Sequence, residues 1–504
     1  MRESGRTQTA SAGEGGKVEM SQQRVHASGT SGAARLQPVP VLARESLYVG
    51  VDIGKRRHVA GFVSRTLLER HERFEGCPAL AFDNTPEGFR ALVERLQAYT
   101  PLEQVYVLME KTGHYQQALL QYLLDLDVAV HLIHVQQRAA GLLKTDKRDA
   151  LGLANQLYTQ LELGAQVADK SQLVRRAVPP TEAAVLLRGL VRHRYELVHE
   201  TTRRKNKLTA ICDELFPEFA DLFRDPNAPG ALALREAFPT PHAMATANLA
   251  DLLALRVGNH PSTAKLRQLQ EAAATSIGAH DVGRQRGLAL QQRQLARELR
   301  LLQAHIAELD AEIKDIVATS RDGRILTSIP VIGPLQAAAI IAAIGHIENF
   351  VSAAALRAYC GWAPQVTRSG QTQDETRLTR GGTRVMKATL YLVVANAIQR
   401  PECEWAHLYA RLVPLKCSFD ARRQQYIGKN KVLGRIAGQL VSIIYALLKR
   451  DAELLASCPP SQLLPEPALY DPVVHHAHRS GHYRPSKPTR SPSVIVALPT
   501  RADR

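Results

Sequence analysis

A chain of 504 residues has room for two or three domains, and 45% hydrophobic residues is ordinary for a globular protein. Against 48 Asp and Glu stand 64 Lys and Arg, a formal charge of +16, which favours a polyanionic partner through counterion release. The six cysteines form no CxxC pair, arguing against a zinc finger or disulfide framework; the longest apolar runs, 335–344 and 440–448, are too short to span a bilayer, and no apolar signal core opens the chain, so a cytoplasmic, nucleoid-associated protein without a membrane partner is expected.

Residues 1–45, rich in Ser, Gly, Gln and Arg without periodicity, read as a disordered extension. From 46 to 165 strands alternate with helices. The pattern predicts strands near 47–53, 57–64, 79–83, 104–110 and 128–135, with helices near 86–99, 113–125 and 146–160. This β-β-β-α-β-α-β-α order is that of an α/β ribonuclease-H-like (RuvC-like) domain. Asp52 follows the apolar run Leu47-Tyr-Val-Gly-Val, and Glu110 ends Val105-Tyr-Val-Leu-Met. Asp146 and Asp149 lie in Lys144-Thr-Asp-Lys-Arg-Asp149, where a spacing of three puts both carboxylates on one helical face. Acids at strand ends with an acid pair on a nearby helix are what two-metal phosphoryl transfer requires, because hard oxygen ligands hold magnesium against a phosphodiester. Two Mg2+ ions per site are expected, with Mn2+ as a substitute; Lys144, Lys147 and Arg148 would offset substrate charge.

Residues 166–320 read as a helical, coiled-coil region. A long helix over 181–215 carries Arg188, Arg192, Arg194, Arg203, Arg204, Lys205 and Lys207 with few acids of its own, so it is read as a phosphate-contacting face, the alternative being a solvated charged flank. Leu295, Leu299, Leu302, Ile306, Leu309, Ile313 and Ile316 alternate spacings of four and three. That is a coiled-coil seam, within or between chains, or a long helix packed on its own domain.

Residues 321–455 read as a mostly α C-terminal domain. Ile325-Leu-Thr-Ser-Ile-Pro-Val-Ile-Gly333-Pro followed by Leu335-Gln-Ala-Ala-Ala reads as a helix-hairpin-helix, with Gly333 admitting a phosphate to the backbone, or as an ordinary helix turn. Gly361-Trp-Ala-Pro364 leads to Arg368-Ser369-Gly370, a turn by residue type, with no local His or Asp partner to make Ser369 part of a hydrolase triad. A basic stretch with Arg380, Arg384 and Lys387 then enters an apolar helix. Residues 456–504 read as a disordered basic tail; its His475-His-Ala-His478 cluster could bind metal but reads first as tail.

Five ordered stretches resemble the IS-one-ten family of bacterial insertion-sequence transposases. They are Gly50-Val-Asp52-Ile-Gly-Lys55 with His58, Met109-Glu110-Lys-Thr-Gly113-His-Tyr115, Lys144-Thr-Asp146-Lys-Arg-Asp149-Ala150, Ile329-Pro-Val-Ile-Gly333, and Gly361-Trp-Ala-Pro364 with Ser369-Gly370. The resemblance implies a RuvC-like domain whose acid quartet, here Asp52, Glu110, Asp146 and Asp149, holds magnesium. It also implies a coiled-coil middle and a C-terminal transposase domain whose serine nucleophile maps to Ser369. Strand cleavage and exchange through a covalent phosphoserine are implied, with donor and target duplex DNA, a guide (bridge) RNA, and a dimer or tetramer whose subunits share the site. Departures are Val331 where the family hairpin has glycine, Thr383 where it has asparagine, and Lys387 where it has arginine, a residue lacking Arg's bidentate fork.

The alternatives are a hydrolytic RuvC-like nuclease or junction resolvase in which water attacks and Ser369 is structural, an actin-like kinase reading of Val51-Asp52-Ile-Gly54, and a non-catalytic scaffold. The kinase class needs a second phosphate-binding turn and a glycine-rich adenosine site, neither of which the sequence offers. The intact quartet argues against the scaffold.

Overall fold

The protein is described from a computed structural model covering residues 41–42, 45–111, 113–133, 145–166, 174–255, 257–258, 261–369, 373–378, 381–459 and 461–473, with backbone alone at 365–369 and 373–377. Two compact units divide it between Arg175 and Arg176. Lys144, Gly370, Arg380 and the His475–His478 cluster lie outside the described residues, as do the extension up to residue 40 and the tail beyond 473.

The first unit is a mixed sheet with helices. In chain order it comprises β1 (Leu47–Asp52), β2 (Arg57–Val63), α1 (Arg65–His71), β3 (Ala79–Asp83), α2 (Pro86–Tyr99), β4 (Val105–Glu110), α3 (Gln117–Leu124), β5 (Ala129–Ile133) and α4 (Asp146–Leu161), closing with β6 (Arg175–Arg176) at the boundary. The sheet order is β3-β2-β1-β4-β5-β6. β1 runs antiparallel to β2 and parallel to β4, which is parallel to β5. Central strands β1 and β4 are almost continuously apolar because both faces are covered, leaving Val49, Val51, Val107 and Met109 wholly buried. The short α1, which the sequence pattern did not announce, starts where the Ser64 hydroxyl accepts from the Leu67 amide.

The second unit is mostly helical. It holds α5 (Glu182–Leu215), α6 (Glu218–Leu222), α7 (Pro229–Ala237), α8 (Pro241–Ala245), α9 (Leu249–Ala254), α10 (Thr263–Ala274), α11 (Val282–Thr319), α12 (Arg321–Thr327), α13 (Pro334–Ile344) and α14 (Ala353–Tyr359). The hairpin β7 (Pro364–Ser369) and β8 (Gln373–Leu378) follows, then α15 (Arg384–Ala397), α16 (Glu404–Lys416), a second hairpin of β9 (Ser418–Asp420) and β10 (Gln425–Ile427), and α17 (Asn430–Ser457).

α5 and α11 pack as an antiparallel pair. Leu187 shares a core with Ile313 near one end, Leu208 packs with Leu299 further along, and Arg284 pairs with Glu214 near the other end. The heptad seam of α11 therefore meets a partner inside its own chain. At one end α6 to α10 close around Phe216, Phe219 and Phe223; at the other, α12 to α17 share a core that includes Trp362 and Trp405.

Two expectations are corrected. The tail does not begin at 456: α17 runs to Ser457, and Pro465, Pro467, Ala468 and Tyr470 lie against the C-terminal core. Arg321 donates to the Pro465 carbonyl and to Asp451, the Ala468 amide donates to Asp451, and Tyr470 stacks on Trp405 with ring centroids 6.1 Å apart. Buried acceptors at Asp451 hold this strap, a signal that composition does not carry. Second, α17 is long and apolar enough by composition to cross a membrane, unlike the runs read from the sequence. Its apolar face, including Leu433, Ile436, Leu440 and Ile444, is the core of this unit.

Candidate functional site

Two glycines create the seat on which the acids are arranged. Gly50 of β1 and Gly61 of β2 stand opposite each other in register. A Cβ at Gly50 would lie 2.1 Å from the Ala150 carbonyl oxygen, and one at Gly61 would lie 2.7 Å from the Leu151 amide nitrogen. The backbone of α4 thus rests directly on the sheet, a closeness only glycine permits. Leu151, Leu153 and Leu157 fix the helix there; all are buried, each contributing roughly 2 kcal/mol.

That seat sets which way the strand acids face. Side chains two apart on a strand share a face, so Asp52 lies on the Gly50 side, the side α4 covers. β1 and β4 are in parallel register with Gly50 beside Leu108 and Val51 beside Met109, so Asp52 and Glu110 end neighbouring strands on that same face. Thr145 caps α4, its hydroxyl accepting from the Arg148 amide. The first turn therefore presents Asp146 exposed and Asp149 buried, with only 6% of its surface accessible, next to the Ala150 that touches Gly50.

The loop after Asp52 is held from both sides. The Gly54 amide donates to His58 Nδ1 at 3.2 Å, and the Asn84 side-chain amide donates to the Lys55 carbonyl at 3.2 Å. His58 is fully buried between Phe82 and Phe89, and burial pushes its pKa below the usual imidazole range. The neutral ring is what the Gly54 bond requires, because a protonated Nδ1 could not accept. Sequence reading named His58 only within a motif; its anchoring role becomes visible through burial.

By donor type, four carboxylates suit a hard divalent cation. Among the described residues, however, no group of three or more His, Cys, Asp or Glu is drawn close enough to hold a metal ion. Strand register puts Asp52 and Glu110 at one end of the sheet face on which α4 rests, with Asp149 in the first turn of that helix.

Ser369 belongs to the second unit. It ends β7, paired in register with Gln373 at the tip of the β7–β8 hairpin, so the stretch read as a turn begins as a strand. The hairpin base is fixed where Gly361 (φ +75°) meets Gly382 (φ +97°): a Cβ on Gly382 would lie 2.5 Å from the Gly361 nitrogen. The Thr383 amide bonds the Tyr359 carbonyl at 3.1 Å, tying the Gly361-Trp motif to the start of α15, where Arg384 is exposed and Lys387 half-buried. Arg368 is in β7, and only its backbone is described.

The remaining candidate contacts are distributed. Lys147 is exposed, and Arg148 pairs with Glu75 at 3.6 Å. On α5, Arg188 and Lys207 are exposed and Lys205 is half-buried. Arg192 pairs with Glu196 at 3.4 Å, Arg203 with Glu200 at 2.8 Å, and Arg204 with Glu298 of α11 at 2.9 Å, while Arg194 pairs with Asp310. The shortage of compensating acids read from α5 alone is therefore corrected, since α11 supplies them. Gly333 caps α13 with φ −84°, an ordinary extended conformation, between α12 and α13, whose connection buries Ile329, Val331 and Ile332.

Comparison with known proteins adds to this geometry. A transposase family model matches residues 49–217, covering the sheet, its acids and α5. A second, described as the transposase IS116/IS110/IS902 family, matches residues 323–410, including the β7–β8 hairpin. The chain belongs to the IS110 family of transposases. An uncharacterized 44.8 kDa protein of insertion element IS116 from Streptomyces clavuligerus is 24% identical over 300 residues, 58% of this chain and 71% of that protein. A 43.6 kDa protein of IS110 from Streptomyces coelicolor is 23% identical over 61% of this chain and 71% of its own length. A 42 kDa protein of IS900 from Mycobacterium paratuberculosis is 25% identical over 61% and 72%. The IS110 family model that spans 49–217 thus takes in all four acids.

Proposed function

We propose that this IS110-family transposase cuts and exchanges DNA strands with a RuvC-like acid site and a serine nucleophile. The observation that carries the reading is the shared face of Asp52, Glu110 and Asp149, built on the Gly50 seat inside a stretch matched by a transposase family model. Asp52, Glu110, Asp146 and Asp149 would hold magnesium, which when bound supplies positive charge against a scissile phosphate and the extra charge of its pentavalent state. Ser369 Oγ attacks phosphorus, a phosphoserine bond forms, and the departing sugar oxygen takes up a proton. The phosphodiester's bond energy is kept in the adduct, so a hydroxyl from another strand can displace the serine. The basic residues near α4 offset phosphate charge.

On the family resemblance, the reading extends to a site whose acids and serine come from different subunits of a dimer or tetramer, and to a guide RNA that selects donor and target by base pairing. The ribonuclease-H-like assignment of the sheet, the helix-hairpin-helix assignment of α12–α13 and a cytoplasmic location belong to the same reading. The experiment is adduct trapping on a nicked or intact element-end duplex. Wild type should yield a covalent protein–DNA species that Ser369→Ala eliminates. An adduct that persists in Ser369→Ala moves the nucleophile elsewhere, and cleavage with no adduct at all favours attack by water.

A further inference from the structure

The β9–β10 hairpin projects from the C-terminal core between α16 and α17, beyond the end of the family-model match at residue 410. Ser418, Phe419 and residues 421–425 are all exposed. An isolated two-stranded ribbon is marginal in water, and two local devices hold this one. Phe419 and Tyr426 pack edge to face across the strands with centroids 5.2 Å apart. Asp420 Oδ1 accepts from the amides of Arg422 at 2.9 Å and Arg423 at 3.2 Å, closing the turn, and Gln424 takes the left-handed conformation at φ +51°.

Its charge is one-sided. Five cations, Lys416, Arg422, Arg423, Lys429 and Lys431, share this stretch with a single acid, Asp420, whose Oδ1 holds the turn amides. The Arg422 guanidinium has no hydrogen-bond or ion-pair partner among the described residues, and Arg423 reaches Asp420 only at 4.0 Å. A solvated charge cluster would explain the arginines alone. It does not explain why Phe419 is left 53% exposed, and Ile427 49% exposed, on the same ribbon. Cations at a protruding tip with an apolar ring behind them match a partner offering phosphates and apolar base edges together.

Shape selects which nucleic acid. The major groove of B-form DNA, about 12 Å wide, admits a two-stranded ribbon, whereas the deep, narrow major groove of A-form RNA does not. We propose that the β9–β10 ribbon is a duplex-DNA contact, with Arg422 and Arg423 on phosphates and Phe419 against the groove. This rests on the reading of the chain as a DNA-acting enzyme and adds a surface to it.

The test is binding of the full chain to a mixed-sequence 30-base-pair duplex across a salt series. Arg422→Ala/Arg423→Ala should weaken binding about tenfold at low salt and reduce the slope of log affinity against log salt by about two, one for each lost phosphate contact. Phe419→Leu, which keeps an apolar side chain against Tyr426, should weaken binding without changing the slope. Arg65→Ala/Arg90→Ala, which removes two exposed arginines from the first unit, should leave the slope unchanged, and thermal melts should show every variant folded. An unchanged slope in the ribbon double variant, with wild type binding normally, overturns the proposal and leaves the enzyme reading standing. Loss of binding to single-stranded or duplex RNA, with duplex-DNA binding intact, overturns it as well. If wild type binds no duplex DNA, both fail together.

Discussion

The Ala150 carbonyl of α4 sits where a side chain at Gly50 of β1 would begin, 2.1 Å from its Cβ position. The obstacle is backbone on both sides, since the Ala154 nitrogen is 2.3 Å from the same point, so no rotamer change relieves it. Gly50→Ala should therefore lift α4 and destabilise the first unit by about 1–3 kcal/mol. Because Asp146 and Asp149 ride on that helix, cleavage should fall further than stability does. Urea melts paired with a cleavage assay check this; wild-type stability in Gly50→Ala would show that the helix does not bear on the glycine.

Asp52→Asn and Glu110→Gln should abolish strand cleavage while duplex binding persists, because each removes a charge from the site but none from the basic surface. Magnesium should raise the melting temperature of wild type and not of Asp52→Asn, since a ligand that binds only the folded state stabilises it by mass action. EDTA should stop cleavage, and Mn2+ should restore it. Equal magnesium shifts in both proteins would remove Asp52 from the metal assignment.

His58 gives a pH dependence of known sign. Burial depresses its pKa in the folded state, so the unfolded chain takes up a proton first as pH falls. The stability it contributes is present above the unfolded value, about 6.5, and is lost as pH drops toward the folded one. His58→Gln cannot titrate and should lose less stability between pH 7.5 and 5.5 than wild type. Identical losses in urea melts at the two pH values would assign the titration to other groups.

Arg321 and Asp451 form a bidentate pair at 2.7 and 2.8 Å, with the Asp451 side chain 4% exposed. Asp451→Ala leaves Arg321 Nε and Nη2 and the Ala468 amide without their acceptor and should cost about 3 kcal/mol. It should also release the strap over 465–470, seen as earlier proteolysis near Pro465. Protection unchanged in the variant would mean that Tyr470 on Trp405 suffices to hold the strap.

Much of the first unit was legible in the sequence. Uninterrupted apolar strands bounded by turn residues announce β1 and β4, and the acids that follow them need no neighbour to be noticed. The Thr145 cap marks the start of α4. Ser369 enters as a candidate only through family resemblance, because a serine without a local base has no spacing that singles it out. The β9–β10 ribbon escaped notice because its turn, Ala-Arg-Arg-Gln, lacks the Gly and Asn that mark hairpins.

By itself the sequence determined the family, the basic surplus, the strand acids and the existence of a heptad seam, since each of these is written in residue type and local period. Tertiary structure alone decided that Gly50 and Gly61 lie under α4, that the seam of α11 is met by α5, and that Glu298 and Asp310 answer the arginines of that helix. Periodicity states that a face must be covered, whereas the identity of the cover depends on where distant segments are carried by the fold.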